Sequence, residues 1–202
     1  GMYGAEEVAR TYGTIVPVPK ERILEAPDGF RLDFNGRVLT FIDTPGHARH
    51  HYCIVDARSR SVFSGDTFGI SYREFDNENG EFIFPTTTPV QFDPPALHAS
   101  IDRLMSYRPR HMYLTHFGQV SNLDRLARDL HALIDAFVAL AHKVVDTGPA
   151  RHELLVAGQR ELLLARLKAH GCTLSEARII ELLSVDFGLN AQGMGVWLDS
   201  LH

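Results

Sequence analysis

Over residues 14–115 apolar residues alternate with polar ones or gather in short runs, whereas beyond Gly118 they recur every third or fourth position. The first spacing is that of strands and the second that of helices. The clearest strand signal is Phe30-Arg31-Leu32-Asp33-Phe34, then Asn35-Gly36, then Arg37–Asp43, with apolar residues alternating on both arms. Asn-Gly tolerates the positive φ angles of a type I′ turn, so a hairpin is expected. Tyr52–Asp56 and residues 61–64 read as two further strands joined by a polar tetrapeptide, the second running into Gly65-Asp66. Residues 77–95, rich in Pro, Gly and Thr, carry neither period and are expected to form a surface or active-site loop. Asp93 ahead of Pro94-Pro95 marks a helix start, with Leu97, Ile101, Leu104 and Met105 on one face. Residues 112–115 then form a short strand.

Past Gly118, Leu123, Leu126, Leu130, Leu133, Ile134, Phe137 and Val138 fall on one helical stripe, with Ser121 as the expected N-cap. Gly148-Pro149 breaks that helix. Residues 152–168 form a second one stopped by Gly171, and Thr173 with Glu176 reads as a capping box for a third. No flexible linker separates these helices from the strand region, so they are expected to pack on it.

Composition narrows the function classes. Acidic residues (25) and basic ones (20) are interspersed, for a net charge of −5, which provides no basic footprint for nucleic acid. The two cysteines, Cys53 and Cys172, form no CxxC pair, so neither a disulfide framework nor a thiolate zinc site is expected. No apolar run approaches the ~20 residues of a membrane span. A cytoplasmic protein without membrane contact is expected. Gly1 ahead of Met2 looks like a scar of tag removal.

Three short motifs carry the candidate chemistry: Thr44-Pro45-Gly46-His47, Ser64-Gly65-Asp66-Thr67 and Thr115-His116-Phe117-Gly118, each at the C-terminal end of an expected strand. Imidazole and carboxylate are ligand types that zinc or iron accepts, and strand-end loops can bring distant residues to one sheet edge. Each motif alone is weak, since most histidines in a chain holding 11 are solvated or structural. Their order is more specific.

TPGH after a strand, GD after a strand pair and a strand-terminal TH resemble the later motifs of the metallo-β-lactamase superfamily, over about residues 2–118. The resemblance implies an α/β fold, the C-terminal half of a four-layer αββα sandwich with a largely antiparallel sheet. It implies a partial domain over residues 2–120, with the helices of residues 121–202 packed on it as an extension. It places His47 in a first metal site, His116 in a second, and Asp66 between them as bridging and catalytic carboxylate. Two cations, zinc or else iron or manganese, belong to an intact domain, and the implied reaction is hydrolysis of a small ester, thioester, lactone or related substrate.

The superfamily's HxHxDH motif is missing from the 202 residues. Each metal position thereby lacks two ligands, so metal is expected to be weak or absent in this chain. His50 and His51 are candidates for supporting His47. His98, His111, His131, His142, His152, His170 and His202 read as solvated or structural. The opening Met2-Tyr3-Gly4-Ala5-Glu6-Glu7 reads as entering mid-element, as a shortened gene or late-placed start would produce. A half-sandwich would leave Leu32, Phe34, Leu39, Phe41, Ile54 and Val55 facing water, so a homo-oligomer through that face is expected. The alternative to a hydrolase is a non-catalytic binding or assembly module with vestigial ligands. A redox di-iron relative is disfavoured by the lack of a flavin-binding extension.

Overall fold

The computed structural model describes residues 5–88 and 91–201. Met2, Tyr3 and Gly4 of the opening segment, Pro89-Val90 of the 77–95 loop, and His202 lie outside the described residues. The described chain begins in helix α1 (Ala5–Tyr12) and continues as an exposed, largely irregular stretch to the first strand.

Strands β1 (Arg31–Phe34), β2 (Arg37–Asp43), β3 (Tyr52–Asp56), β4 (Ser61–Gly65), β5 (His111–Leu114) and β6 (Gly118–Val120) form one sheet in chain order. Every neighbouring pair is antiparallel except β4 with β5. The β1–β2 turn has positive φ at both Asn35 (53°) and Gly36 (78°), the requirement of a type I′ turn. A parallel pair cannot be closed by a tight turn. The connection from β4 to β5 accordingly contains helix α2 (Pro94–Ser106), whose N-cap Asp93 accepts a hydrogen bond from the Ala96 amide.

Alternation gives the sheet two unlike faces. Ile42, Cys53, Val55, Val62, Met112 and Leu114 are buried in one apolar cluster with Leu97, Ile101 and Leu104 of α2. The same cluster takes in Leu126, Leu130, Ile134 and Phe137 of α3 (Leu123–Lys143). On the other face the register lines up Phe41, Ile54, Phe63 and Tyr113 across four strands. That face is only partly covered: Phe34 is 61% and Phe63 43% exposed. Val55 does not belong to it, contrary to the sequence reading; next to Ile54 it must point the opposite way, and it is buried.

Helices α4 (Arg151–His170), α5 (Glu176–Leu182) and α6 (Ser184–Asp199) add Leu155, Leu163, Leu167, Ile179, Phe187, Met194 and Leu198 to the same core. Buried polar contacts fasten α6 to the irregular segment after Asn77: Asn190 Oδ1 accepts from the Thr87 amide (2.8 Å), the Thr87 hydroxyl donates to the Asn190 carbonyl (2.8 Å), and Asn190 Nδ2 donates to the Pro85 carbonyl (3.4 Å). Residues 82–87 of the 77–95 segment are buried rather than at the surface, because Phe82, Ile83 and Phe84 fill space between sheet and helices.

The helix starts also differ from expectation. α3 is preceded by Asn122 at φ 54°, whereas the Ser121 amide donates to Glu81 Oε1. α5 is capped by Ser175, which accepts from the Arg178 amide, and Thr173 lies too early to reach it. Among the described residues no helix is long and apolar enough to cross a membrane.

Candidate metal centre

The three motif residues sit at the ends of β2, β4 and β5. The loop after β2 is pinched shut by two backbone bonds, the Thr44 amide to the His51 carbonyl (2.9 Å) and the His51 amide to the Ala48 carbonyl (3.1 Å). Gly46 at its crown has φ 124° and packs so closely on α2 that a Cβ there would lie 2.3 Å from Leu97 Cα. His47 is thereby buried, at 6% exposure. The Thr115 amide donates to the Gly65 carbonyl (3.3 Å), which sets the turn carrying His116 beside Asp66.

Asp66 lies between the two histidines. Its Oδ2 is 3.5 Å from His47 Nε2 and its Oδ1 is 3.6 Å from His116 Nε2, one oxygen toward each ring. Protonation decides what these gaps mean. His47 Nδ1 faces the Thr86 carbonyl at 3.3 Å and donates to it, so Nε2 carries the lone pair toward Asp66. Burial pushes the His47 pKa down, against the opposing pull of Asp66, and keeps this ring neutral. A lone pair therefore faces a carboxylate oxygen, two electron-rich atoms that repel unless a cation lies between them. Two ligands of one tetrahedral zinc stand roughly 3.4 Å apart, given bonds of about 2.0–2.2 Å. Asp66 Oδ1 is moreover buried without any hydrogen-bond partner, an orphaned acceptor of the kind metal sites explain.

The donors thus suit two cation positions that share a carboxylate, with one imidazole each. Two donors per position fall short of the three protein ligands of a catalytic zinc site. Consistently, no group of three or more His, Cys, Asp or Glu side chains among the described residues is placed to hold one ion. Cys53 supplies no thiolate: burial raises its pKa to about 11, and its thiol is engaged by Thr44 and the Ser64 carbonyl.

His51 supports the centre from behind. Its Nε2 accepts from the Asp66 amide (3.1 Å), so its proton is on Nδ1, which faces the hydroxyls of Thr67 (2.9 Å) and Thr44 (3.0 Å). Burial pushes its pKa down to about 4. A Cβ on Gly65 would lie 2.3 Å from His51 Nε2, so only glycine lets ring and strand end approach. The supporting threonines escaped sequence reading, although Thr67 directly follows the Gly-Asp pair and Thr44 opens the TPGH motif.

His50 is exposed. His111 is held by Ser121 and Gln119, His142 packs edge-on against Trp197, and His170 donates to the Gly80 carbonyl. Beside His116 an aromatic pair is tied to α6. Phe117, next to His116, packs tilted against Tyr72 with ring centroids 4.1 Å apart, and the Tyr72 hydroxyl donates to Asp186 Oδ2 on α6 (2.7 Å).

A family model of the metallo-beta-lactamase superfamily matches residues 2–116, a span that contains His47, Asp66 and His116. The chain belongs to that superfamily. A metallo-beta-lactamase fold-containing protein of Sulfurisphaera tokodaii is 30% identical over 102 residues, 50% of this chain and 35% of that protein. Among solved structures, a metallo-beta-lactamase family protein of Thermus thermophilus superposes with a TM-score of 0.54 at 18% identity, covering 98% of this chain and 55% of that one. A beta-lactamase domain protein from Burkholderia ambifaria gives 0.52 at 15% identity, with 97% and 52% covered. Both superpositions extend through the C-terminal helices of this chain. The chain spans about half the length or less of these relatives.

Proposed function

We propose that this chain contributes the bridging half of a dinuclear metal centre to a hydrolase acting on a small ester, thioester, lactone or related substrate. The observation that carries the reading is Asp66, with one carboxylate oxygen toward His47 and the other, buried and unpartnered, toward His116. His47, Asp66 and His116 would hold the metal, zinc or else iron or manganese, which supplies Lewis acidity and makes water nucleophilic near neutral pH.

The rest is the work of this chain's own groups. The Thr86 carbonyl fixes the His47 tautomer and so aims Nε2 at the centre. His51 holds the Asp66 amide, which orients the carboxylate along the line between the two imidazoles. Tyr72 and Phe117 form an apolar wall beside His116, where the acyl or ring portion of a substrate would rest.

A non-catalytic module is the second reading, favoured by the count of two donors per cation position. Equilibrium dialysis of the metal-free chain against zinc, followed by ester, thioester and lactone assays, tests both. Weak zinc uptake that Asp66→Ala reduces, with turnover near background, is expected for this span alone. Zinc uptake unaffected by Asp66→Ala would overturn the assignment. Two tightly held metals with turnover would mean that further side chains of this chain are ligands.

A further inference from the structure

Away from the centre, α2 and α3 each carry a histidine followed four residues later by an aspartate: His98 with Asp102, and His131 with Asp135. The pairs cross between helices. His98 Nε2 lies 3.1 Å from Asp135 Oδ1, and His131 Nε2 lies 3.2 Å from Asp102 Oδ1. Each Nε2 therefore holds a proton on a carboxylate, and each Nδ1 is left to face the other ring.

The two Nδ1 atoms are 2.5 Å apart, the ring centroids 4.8 Å, and the ring planes differ by 10°. The distance from centroid to centroid is used up by the gap plus the two ring radii. The imidazoles are thus end to end in nearly one plane, with both in-plane lone pairs directed at the same point. Such lone pairs repel, so an electrophile belongs between them.

We propose that His98 and His131 form a surface site for a divalent late first-row metal ion, Cu2+ more tightly than Zn2+, that bridges α2 to α3. Histidines that ligate metals nearly always place their second ring N–H on a carboxylate or carbonyl, and here both rings do so, each on the opposite helix. Imidazole nitrogen suits copper, nickel and zinc, with copper highest in the affinity order. Both side chains are 27% exposed, so water can complete the coordination shell. The nitrogens must separate to roughly 3.4 Å to share a tetrahedral ion, a small rotation for residues on an open surface. The site is separate from the Asp66 centre, although Leu97 beside His98 is the residue on which Gly46 rests.

The test is Cu2+ titration of the metal-free chain, read by electron paramagnetic resonance and by thermal unfolding. The wild type is expected to take up one copper with two-nitrogen coupling, and that equivalent should vanish in His98→Gln/His131→Gln while persisting in His116→Gln. Asp102→Asn and Asp135→Asn alter carboxylates that are 76% and 74% exposed, so folding is retained, and each should weaken this equivalent about 10–100-fold. Copper should raise the unfolding temperature of the wild type more than that of the double variant. An identical copper isotherm and spectrum in wild type and double variant would overturn the proposal. So would unchanged affinity in both aspartate variants, or a wild type that takes up copper only at the Asp66 centre, leaving the imidazoles with a shared proton.

Discussion

Replacing Gly46 by alanine isolates how tightly the loop bearing His47 is seated. At φ 124° an L-residue is strained, at a cost of about 1–3 kcal/mol. The new Cβ would also lie 2.3 Å from both Cα and N of Leu97, which are backbone atoms of a helix and cannot swing aside. Overpacking of that kind costs typically 1–3 kcal/mol more, so Gly46→Ala should lose roughly 2–6 kcal/mol. Gly36→Ala is the control, since its φ is 78° but no atom lies within 4 Å of the added carbon. Only the left-handed backbone penalty applies there, about 1–2 kcal/mol. The difference is steric and points at one contact. With a urea slope of about 3 kcal/mol/M for a chain of this size, the two midpoints should differ by roughly 1 M. A Gly46→Ala midpoint equal to that of Gly36→Ala would refute the close seating on α2, and with it the account of how His47 is buried.

Three further expectations follow from the same geometry. His51, held to about 4 by burial, refuses a proton that the unfolded chain accepts below about 6.5, so its contribution is full above that pH and lost on the way down to 4. Urea midpoints at pH 7.5 and 4.5 should fall by the equivalent of ~2–3 kcal/mol more in wild type than in His51→Gln, and equal falls would count against a neutral buried ring. Asp56, fully buried, is held well below the carboxylate range by the Arg37 guanidinium and then by Ser59, so its contribution is present above about pH 4 and declines with acid. Asp56→Asn should cost ~2–4 kcal/mol at pH 7 and distinctly less at pH 2, as chemical denaturation at the two values would show. We also propose self-association through the face carrying Phe41, Ile54, Phe63 and Tyr113: light scattering should give a dimeric or larger mass at micromolar concentration that Phe63→Lys reduces. A monomeric wild type without dye binding to exposed apolar surface would end that proposal.

Much of the frame was legible because local chemistry and burial agree. Asn35-Gly36 demands its turn, and the alternation on either side sets which residues face the core. The sixth strand escaped because residues 118–120 are too few to display a period, and it exists only by pairing back on β5. Val55 was misplaced for a different reason: a continuous apolar run such as Cys53-Ile54-Val55 hides the alternation that its register imposes. Caps at Asn122 and Ser175 depend on φ angles and bond directions that spacing does not encode. Motif order pointed to His47, Asp66 and His116, and the structure brings these three side chains together. The Thr86 carbonyl, 39 positions from His47 in the chain, left no trace in residue type. The crossed His-Asp pairs were equally hidden, since an i, i+4 spacing on one helix says nothing of the partner helix that completes it.

The strand order has a kinetic consequence. Four of the five joints in the sheet connect neighbours in the chain through short turns and can zip up as soon as their own residues are available. The parallel joint between β4 and β5 must wait for the whole excursion from Gly65 to His111 to close, with the loop entropy that this entails. His47 and Asp66 stand on the early side of that joint and His116 on the late side. The carboxylate of Asp66 and the histidine that faces its second oxygen thus stand on opposite sides of the slowest joint, and they meet only once that joint has closed. Until then, the orphaned oxygen of Asp66 is open to water.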